Sequence, residues 1–308
     1  MHLIIPYAAF ADVPPDALHS LALPHLRQIL GQVACTHRDE EDRDVQPSPC
    51  MPHERVQARA LGWLGDAPAP WAAWAHPSNP APQAWITPCH WQIGMDQVVM
   101  LDPAYLQLSD EESQQLLQAM QPFLQEDGLD VRWHSPLMWH ATGPVFAGMQ
   151  AVSLDRVSGA NVKPWITDGH LPPSLRRLQS EMQMLLYNHP VNDARMAQGR
   201  LTVNSFWVHG AGALPAHHEA LPASEVQVID SLRAPALQGH VPSWLAAWQQ
   251  VDAEHLAPLA QHSGLRLTLC SETAAHTYQR SERSWLQRLG AAFHKTDTGR
   301  ALQALIPT

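Results

Sequence analysis

Residues 189–212, HPVNDARMAQGRLTVNSFWVHGAG, bring together side chains suited to holding an anion. Asn192, Arg195 and Asn204 fall between the end of a helical pattern and an apolar run. The guanidinium of arginine offers a planar fork that meets a carboxylate or phosphate at two points. Asparagine amides donate to the same oxygens. His189 opens the stretch, and Gly210 and Gly212 close it with backbone that a ligand can approach. One reading is an anion pocket at a sheet end, where α/β folds bind ligands. The other is a corner whose polar groups satisfy one another, with Arg195 paired to a local acid and the glycines only turning the chain.

A second polar stretch, SLDRVSGANVKPW at 153–165, supplies Asp155, Arg156, Asn161 and Lys163. It either completes the same pocket or is a loop held by side-chain turns of the Asx type. Cys89 and His90 are adjacent. Neighbouring strand residues point to opposite faces, so they do not serve each other as nucleophile and base. The 19 histidines are scattered, with no zincin-like pair. His217, His218 and His276 lack carboxylates at ligand spacing. No phosphate-cradling glycine loop, nucleophile elbow or dinucleotide fingerprint is present, so no catalytic residue can be named.

These residues need elements to position them. HLIIPYAAF reads as a buried first strand, followed by a helix near 21–30 with Pro24 in its first turn. The charged, proline-rich stretch 36–52 reads as a loop, and 53–65 as a helix stopped by Gly65. A strap rich in proline, 66–83, is pinned by Trp71 and Trp74. Strands are expected at 84–91 and 97–103, then a helix opened by the capping box of Ser109 and Glu112 and closed by Gly128. Strands at 129–135 and 136–142 follow. The region 151–166 is irregular, and a helix runs from Ser174 to His189, where Pro190 stops it. Strands at 201–208, 225–229 and 265–270 and helices at 241–250 and 282–293 complete the chain. The pattern predicts an α/β fold with a mostly parallel central sheet and an α+β subdomain. The expected division is 1–83, an N-terminal segment with the strap; 84–215, the subdomain; and 216–308, which completes the main domain.

Composition bounds the function. With 308 residues and 45% apolar content the chain is globular. Its net charge of -10, from 29 acidic and 19 basic residues, argues against nucleic acid and anionic membrane as partners. The basic residues are almost all arginine; Lys163 and Lys295 are the lysines. The first residues show no signal-peptide pattern, no apolar run is long enough to span a membrane, and the four cysteines form no Cys-X-X-Cys pair. A cytoplasmic location with reduced thiols is expected.

The run HPVN, then Arg195, then VNSFWVHGAG resembles a segment of the archaeal-type, cofactor-independent phosphoglycerate mutases. CHWQIGMDQVVMLDPAYLQLSDEESQQLLQAM is similar to the opening of their substrate domain, so the likeness covers about residues 84–215. SLDRVSGANV matches a further mutase loop at Asp155 and Gly159 but lacks its histidine. EMQMLLYNHPVNDAR and VNSFWVHGAG resemble the RpfE-type regulatory proteins of proteobacteria more closely still. The resemblance implies a relative of the alkaline phosphatase superfamily. Enzymes of that kind need two divalent metals held by Asp and His, with a Ser or Thr nucleophile near the first strand. Here that strand is followed by no Asp-Gly motif, Asp12 being the nearest acid, and the chain contains no Asp-His dipeptide. LTLCSETAAHTYQRS offers only Glu272 and His276 where the family's C-terminal ligands would stand.

The expectation is therefore a catalytically degenerate, phosphoglycerate-mutase-like regulator without a metal. It would bind a small phosphorylated or carboxylate ligand through His189, Asn192, Arg195, Asn204, Gly210 and Gly212, with Asp155, Arg156 and Lys163. A protein partner or a second copy of the chain is the other expected contact. The alternative is an active mutase or phosphatase with an altered site for two divalent ions such as manganese or zinc. A third reading takes the Trp-rich strap as a partner-binding scaffold, against burial of those tryptophans in the chain's own core.

Overall fold

A computed structural model describes residues 1–42, 44–63, 67–167, 169–215, 225–280 and 297–306. The chain divides into two compact units, Met1–Leu64 with Glu219–Thr308, and Gly65–His218.

The first unit contains β1 (His2–Ile5), α1 (Pro15–Ser20), α2 (Pro24–Leu30), β2 (Ala34–Glu40) and α3 (Pro52–Ala60). After the second unit come β9 (Val226–Val228), α10 (Arg233–Leu237), α11 (Val241–Val251), β10 (Arg266–Cys270), β11 (Ala274–Gln279) and α12 (Thr298–Gln303). The five strands form one sheet in the order β2-β11-β10-β1-β9. β1 runs parallel to β9 and β10, whereas β11 is antiparallel to both β10 and β2. The central sheet is thus mixed, not mostly parallel. Two strands account for the difference. β11 returns directly from β10 as a hairpin. β2, which overlaps the start of the stretch expected to be a loop, is an edge strand exposed along most of its length. An edge strand with little burial has no apolar pattern, and its charged residues suit a sheet margin.

β1 is buried on both faces, as its unbroken apolar run requires. Leu3, Ile5, Leu267 and Leu269 pack with Phe10, Leu26, Trp244 and Trp248 in one core. Ile4 turns the other way, to Val56 of α3, Cys270 and Ala275. Asp252 fastens this layer by accepting the backbone N–H groups of His25 and Leu26 at the start of α2, at 3.2 and 2.7 Å. α3 ends at Ala60, with Gly62 at φ 89° supplying the left-handed turn ahead of Gly65.

The second unit contains α4 (Trp71–Ala75), β3 (Gln83–Cys89), β4 (Trp91–Ile93), β5 (Val98–Met100), α5 (Asp110–Glu126), β6 (Asp130–Ser135) and β7 (Met138–Thr142). It continues with α6 (Leu154–Val157), α7 (Lys163–Thr167), α8 (Pro173–Tyr187), α9 (Pro190–Ala197) and β8 (Ser205–Gly212). An antiparallel sheet in the order β6-β7-β3-β8 forms its centre, and β4 pairs with β5 in a separate ribbon. Ile86, Trp139 and Phe206 meet Leu116, Met120, Leu178 and Met182 from α5 and α8 in one core. The strap belongs to this unit and carries α4. The irregular stretch 151–166 holds α6 and most of α7. The helix expected at 282–293, together with His217 and His218, lies outside the described residues. Among the described residues no helix is long and apolar enough to cross a membrane.

Candidate functional site

The anion-friendly corner is a set of internal hydrogen bonds. His189 caps α9, its Nδ1 accepting the Val191 N–H at 3.3 Å. Burial lowers its pKa, against the pull of Asp193. Asn192, 2% exposed, donates from Nδ2 to the Leu186 and Val203 carbonyls, both at 2.7 Å. Its Oδ1 accepts the Val203 N–H at 2.9 Å. Arg195 is fully buried. Its Nε donates to the Leu201 carbonyl at 2.6 Å, one terminal nitrogen to Glu112 at 2.8 Å, and the other to the Leu106 carbonyl. Arg200 adds a second bond to Glu112 at 3.0 Å. Burial pushes the Glu112 carboxyl up, but the Ser109 N–H and the two guanidiniums outweigh it, so its pKa is lowered. Asn204 exchanges both of its polar groups with the Trp91 backbone, at 2.7 and 2.9 Å.

The two glycines have an equally local reason. Gly210 has φ 57° and Gly212 φ 139°. A Cβ at Gly210 would lie 3.0 Å from that of Trp71, and one at Gly212 3.0 Å from that of Pro70. They let the strap lie against β8. Through its hydrogen bonds Arg195 forms a lock that joins α5, α9 and the entry to β8. Its acid, Glu112, is the capping residue of α5. That double role is not visible from spacing, because the pair stands 83 residues apart.

The second polar stretch is held elsewhere. Asp155 and Arg156 lie on α6, where the Ser153 hydroxyl accepts the Asp155 N–H at 3.2 Å. Asn161 Oδ1 accepts the N–H groups of Lys163 and Val98, an Asx turn that joins α7 to β5. None of Arg195's bonds reaches these residues. Cys89 is buried, which raises its thiol pKa well out of the reactive range. His90 turns instead to the Thr202 carbonyl at 2.8 Å.

The carboxyl end of β1 is where the resemblance would put a metal centre. Tyr7, Ala8, Ala9 and Phe10 are buried there. Trp244 donates its indole N–H to the Tyr7 carbonyl at 2.9 Å, and Trp248 donates to that of Ala8 at 3.0 Å. The Ala8 N–H donates to the Cys270 carbonyl at 2.7 Å. Tyr7 has φ 53°, a left-handed turn at a non-glycine residue. Glu272 accepts the Ala11 N–H at 3.2 Å, while His276 is bonded to Glu40 at 2.7 Å. Among the described residues no three His, Cys, Asp or Glu side chains converge as ligands.

Sequence reasoning missed one cluster in the second unit. His76 and His140 have ring centroids 4.1 Å apart, and His134 and Trp85 pack beside them. These histidines come from the strap, β6 and β7, so no linear spacing brings them together.

No protein-family model matches the chain. Over 145 residues it is 26% identical to a probable 2,3-bisphosphoglycerate-independent phosphoglycerate mutase of Geobacter sulfurreducens, a match covering 44% of this chain and 36% of that protein. The match thus spans little more than a third of the relative. Among solved structures, the chain is similar to the cofactor-independent phosphoglycerate mutase of Thermoplasma acidophilum, with 13% identity and a TM-score of 0.34, over 99% of this chain and all of that one. It is also similar to the PH0037 protein of Pyrococcus horikoshii, with 10% identity and a TM-score of 0.45, over 90% and 86% of the two chains. Both superpositions are too loose to carry weight. The sequence match makes part of the chain phosphoglycerate-mutase-like at low identity.

Proposed function

We propose that this chain is a non-catalytic, mutase-like protein that binds a small phosphorylated or carboxylate ligand and acts in regulation, in the manner of the RpfE-type proteins. The observation that carries this reading is the filling of the carboxyl end of β1. In an open α/β sheet that end is the usual ligand crevice, and phosphoryl transfer by two metals requires an open, charged cavity there. Trp244 and Trp248 tie their N–H groups to the Tyr7 and Ala8 carbonyls just beyond that end.

The test is turnover of 2- and 3-phosphoglycerate and of a phosphate monoester, with manganese or zinc added, beside the metal content of the purified chain. The reading expects no turnover and far less than one metal per chain. Metal-dependent turnover would replace it with an active mutase or phosphatase.

A further inference from the structure

A cavity of about 200 Å³ lies at the opposite, amino end of the central strands. His2, His37, Arg59, Arg266, Thr277 and Gln279 supply its polar wall, and no carboxylate lines it. The sheet register explains the gathering. His2 of β1 is the register partner of Arg266 of β10, Arg266 that of Gln279 of β11, and Thr277 that of His37 of β2. Cross-strand partners share a face, so His2, Arg266 and Gln279 form one row, and Thr277 and His37, two residues along β11, stand in the next row. α3 covers the same face and adds Arg59.

The polar atoms of these rows are unevenly used. His2 is 7% exposed. Its Nε2 lies 2.8 Å from the Thr268 hydroxyl, which lies 2.8 Å from that of Thr277. Its Nδ1 is buried and has no hydrogen-bond partner among the described residues. A hydroxyl relay in which Thr277 donates to Thr268 and Thr268 to Nε2 leaves Nδ1 as the N–H donor. Arg266 is exposed and has no ion pair or side-chain hydrogen bond among the described residues. Arg59 uses one terminal nitrogen on Asp39 at 3.0 Å and keeps further donors. A buried donor without an acceptor is costly. Arg266, whose charge acts on His2, brings a positive charge to this wall in a chain of net charge -10.

We propose that this cavity is a binding site for a phosphoryl group, held by Arg266, Arg59 and the Nδ1–H of His2. Arg266 brings an uncompensated charge and Arg59, paired with Asp39, brings further donors; donors from three elements suit tetrahedral phosphoryl oxygens better than a planar carboxylate. Burial and the nearby Arg266 charge keep His2 neutral, with its pKa pushed down to about 4, so it enters as a neutral donor. The site gives the regulatory reading its ligand seat and rests on that reading. Turnover tests the reading itself, whereas binding tests the site.

The experiment is calorimetric titration of the full chain with inorganic phosphate, glycerol phosphate and acetate. Wild type, Arg266→Ala and His2→Phe are compared, with circular dichroism as the control for folding. One phosphate per chain is expected, weakened at least about tenfold by Arg266→Ala and several-fold by His2→Phe. Tighter binding of glycerol phosphate supports the site with a phosphorylated metabolite as its source. Tighter binding of inorganic phosphate supports it with the free ion. The site is overturned by no binding at millimolar phosphate, or by equal binding to wild type and a folded Arg266→Ala. Acetate binding as tightly as phosphate overturns the phosphoryl assignment.

Discussion

At the scale of single residues, Arg195 and His2 show two uses of a buried polar group. All three guanidinium nitrogens of Arg195 meet protein acceptors, one of them the Glu112 carboxylate. Removing one partner of a buried charge pair costs roughly 3–5 kcal/mol. Arg195→Ala is therefore expected to lose stability on that scale in urea denaturation; a midpoint equal to wild type would sink the lock. His2 yields a pH effect whose sign is fixed by its pKa of about 4, against the ordinary 6.5. Above pH 6.5 both folded and unfolded chains keep it neutral, and it adds no slope. Between 6.5 and 4 the unfolded chain takes a proton that the folded chain excludes, so stability falls by roughly 3 kcal/mol. Below 4 the loss levels off. His140, His189 and His276 are lowered as well, each chiefly by burial. The readout is therefore the difference between wild type and His2→Phe across this window, which should show the shallower acid slope in the variant.

At the scale of elements, the strap and β8 depend on glycine for two separable reasons. Gly210 needs both a positive φ and room for Trp71, whereas Gly148, with φ 68°, has nothing within 4 Å of where a Cβ would stand. Gly148→Ala is expected to cost about 1 kcal/mol through the backbone alone. Gly210→Ala should cost more, on the order of 2–3 kcal/mol, since Trp71 must also shift. Thermal melts of both variants check the ordering, and equal losses would remove the close approach as a cause. The capping box of α5 is tied into the lock through Glu112, which accepts the Ser109 N–H at 3.0 Å as well as both arginines. Glu112→Gln should therefore destabilise by more than the ~1 kcal/mol of an ordinary cap, as read by the same denaturation series.

At the scale of the whole molecule, charge and core composition govern what the chain can meet. With a net charge of -10, duplex DNA should not be retained in a gel shift at physiological salt, because too few cations are available to displace counterions. Retention there would place a basic surface outside the features described above. In the first unit, Trp244 and Trp248 are fully buried and edge-on to each other, with ring centroids 6.3 Å apart. Trp244→Ala should cost about 3–5 kcal/mol as a cavity and confer no phosphoglycerate turnover, since an emptied space supplies no ligands. Turnover gained in that variant would mean that the indole covers a working site.

Local chemistry made several elements legible in the sequence. The unbroken apolar run of β1, the Ser109–Glu112 box, the stripes of α5 and α8 and the hairpin of β6 and β7 carry patterns that burial on one or two faces imposes. β2 escaped because an exposed edge strand needs no apolar alternation, and β11 because its buried positions carry Ala, His and Thr in place of large apolar residues. The residues of the Arg195 corner were visible, but not their partners: spacing names a guanidinium, and only packing decides whether its acceptor is Glu112 or a ligand. The cluster from His2 to His37 was invisible for the same reason. Its members lie on β1 and β2 near one end of the chain and on the β10–β11 hairpin near the other, and the register of the folded sheet alone sets them side by side.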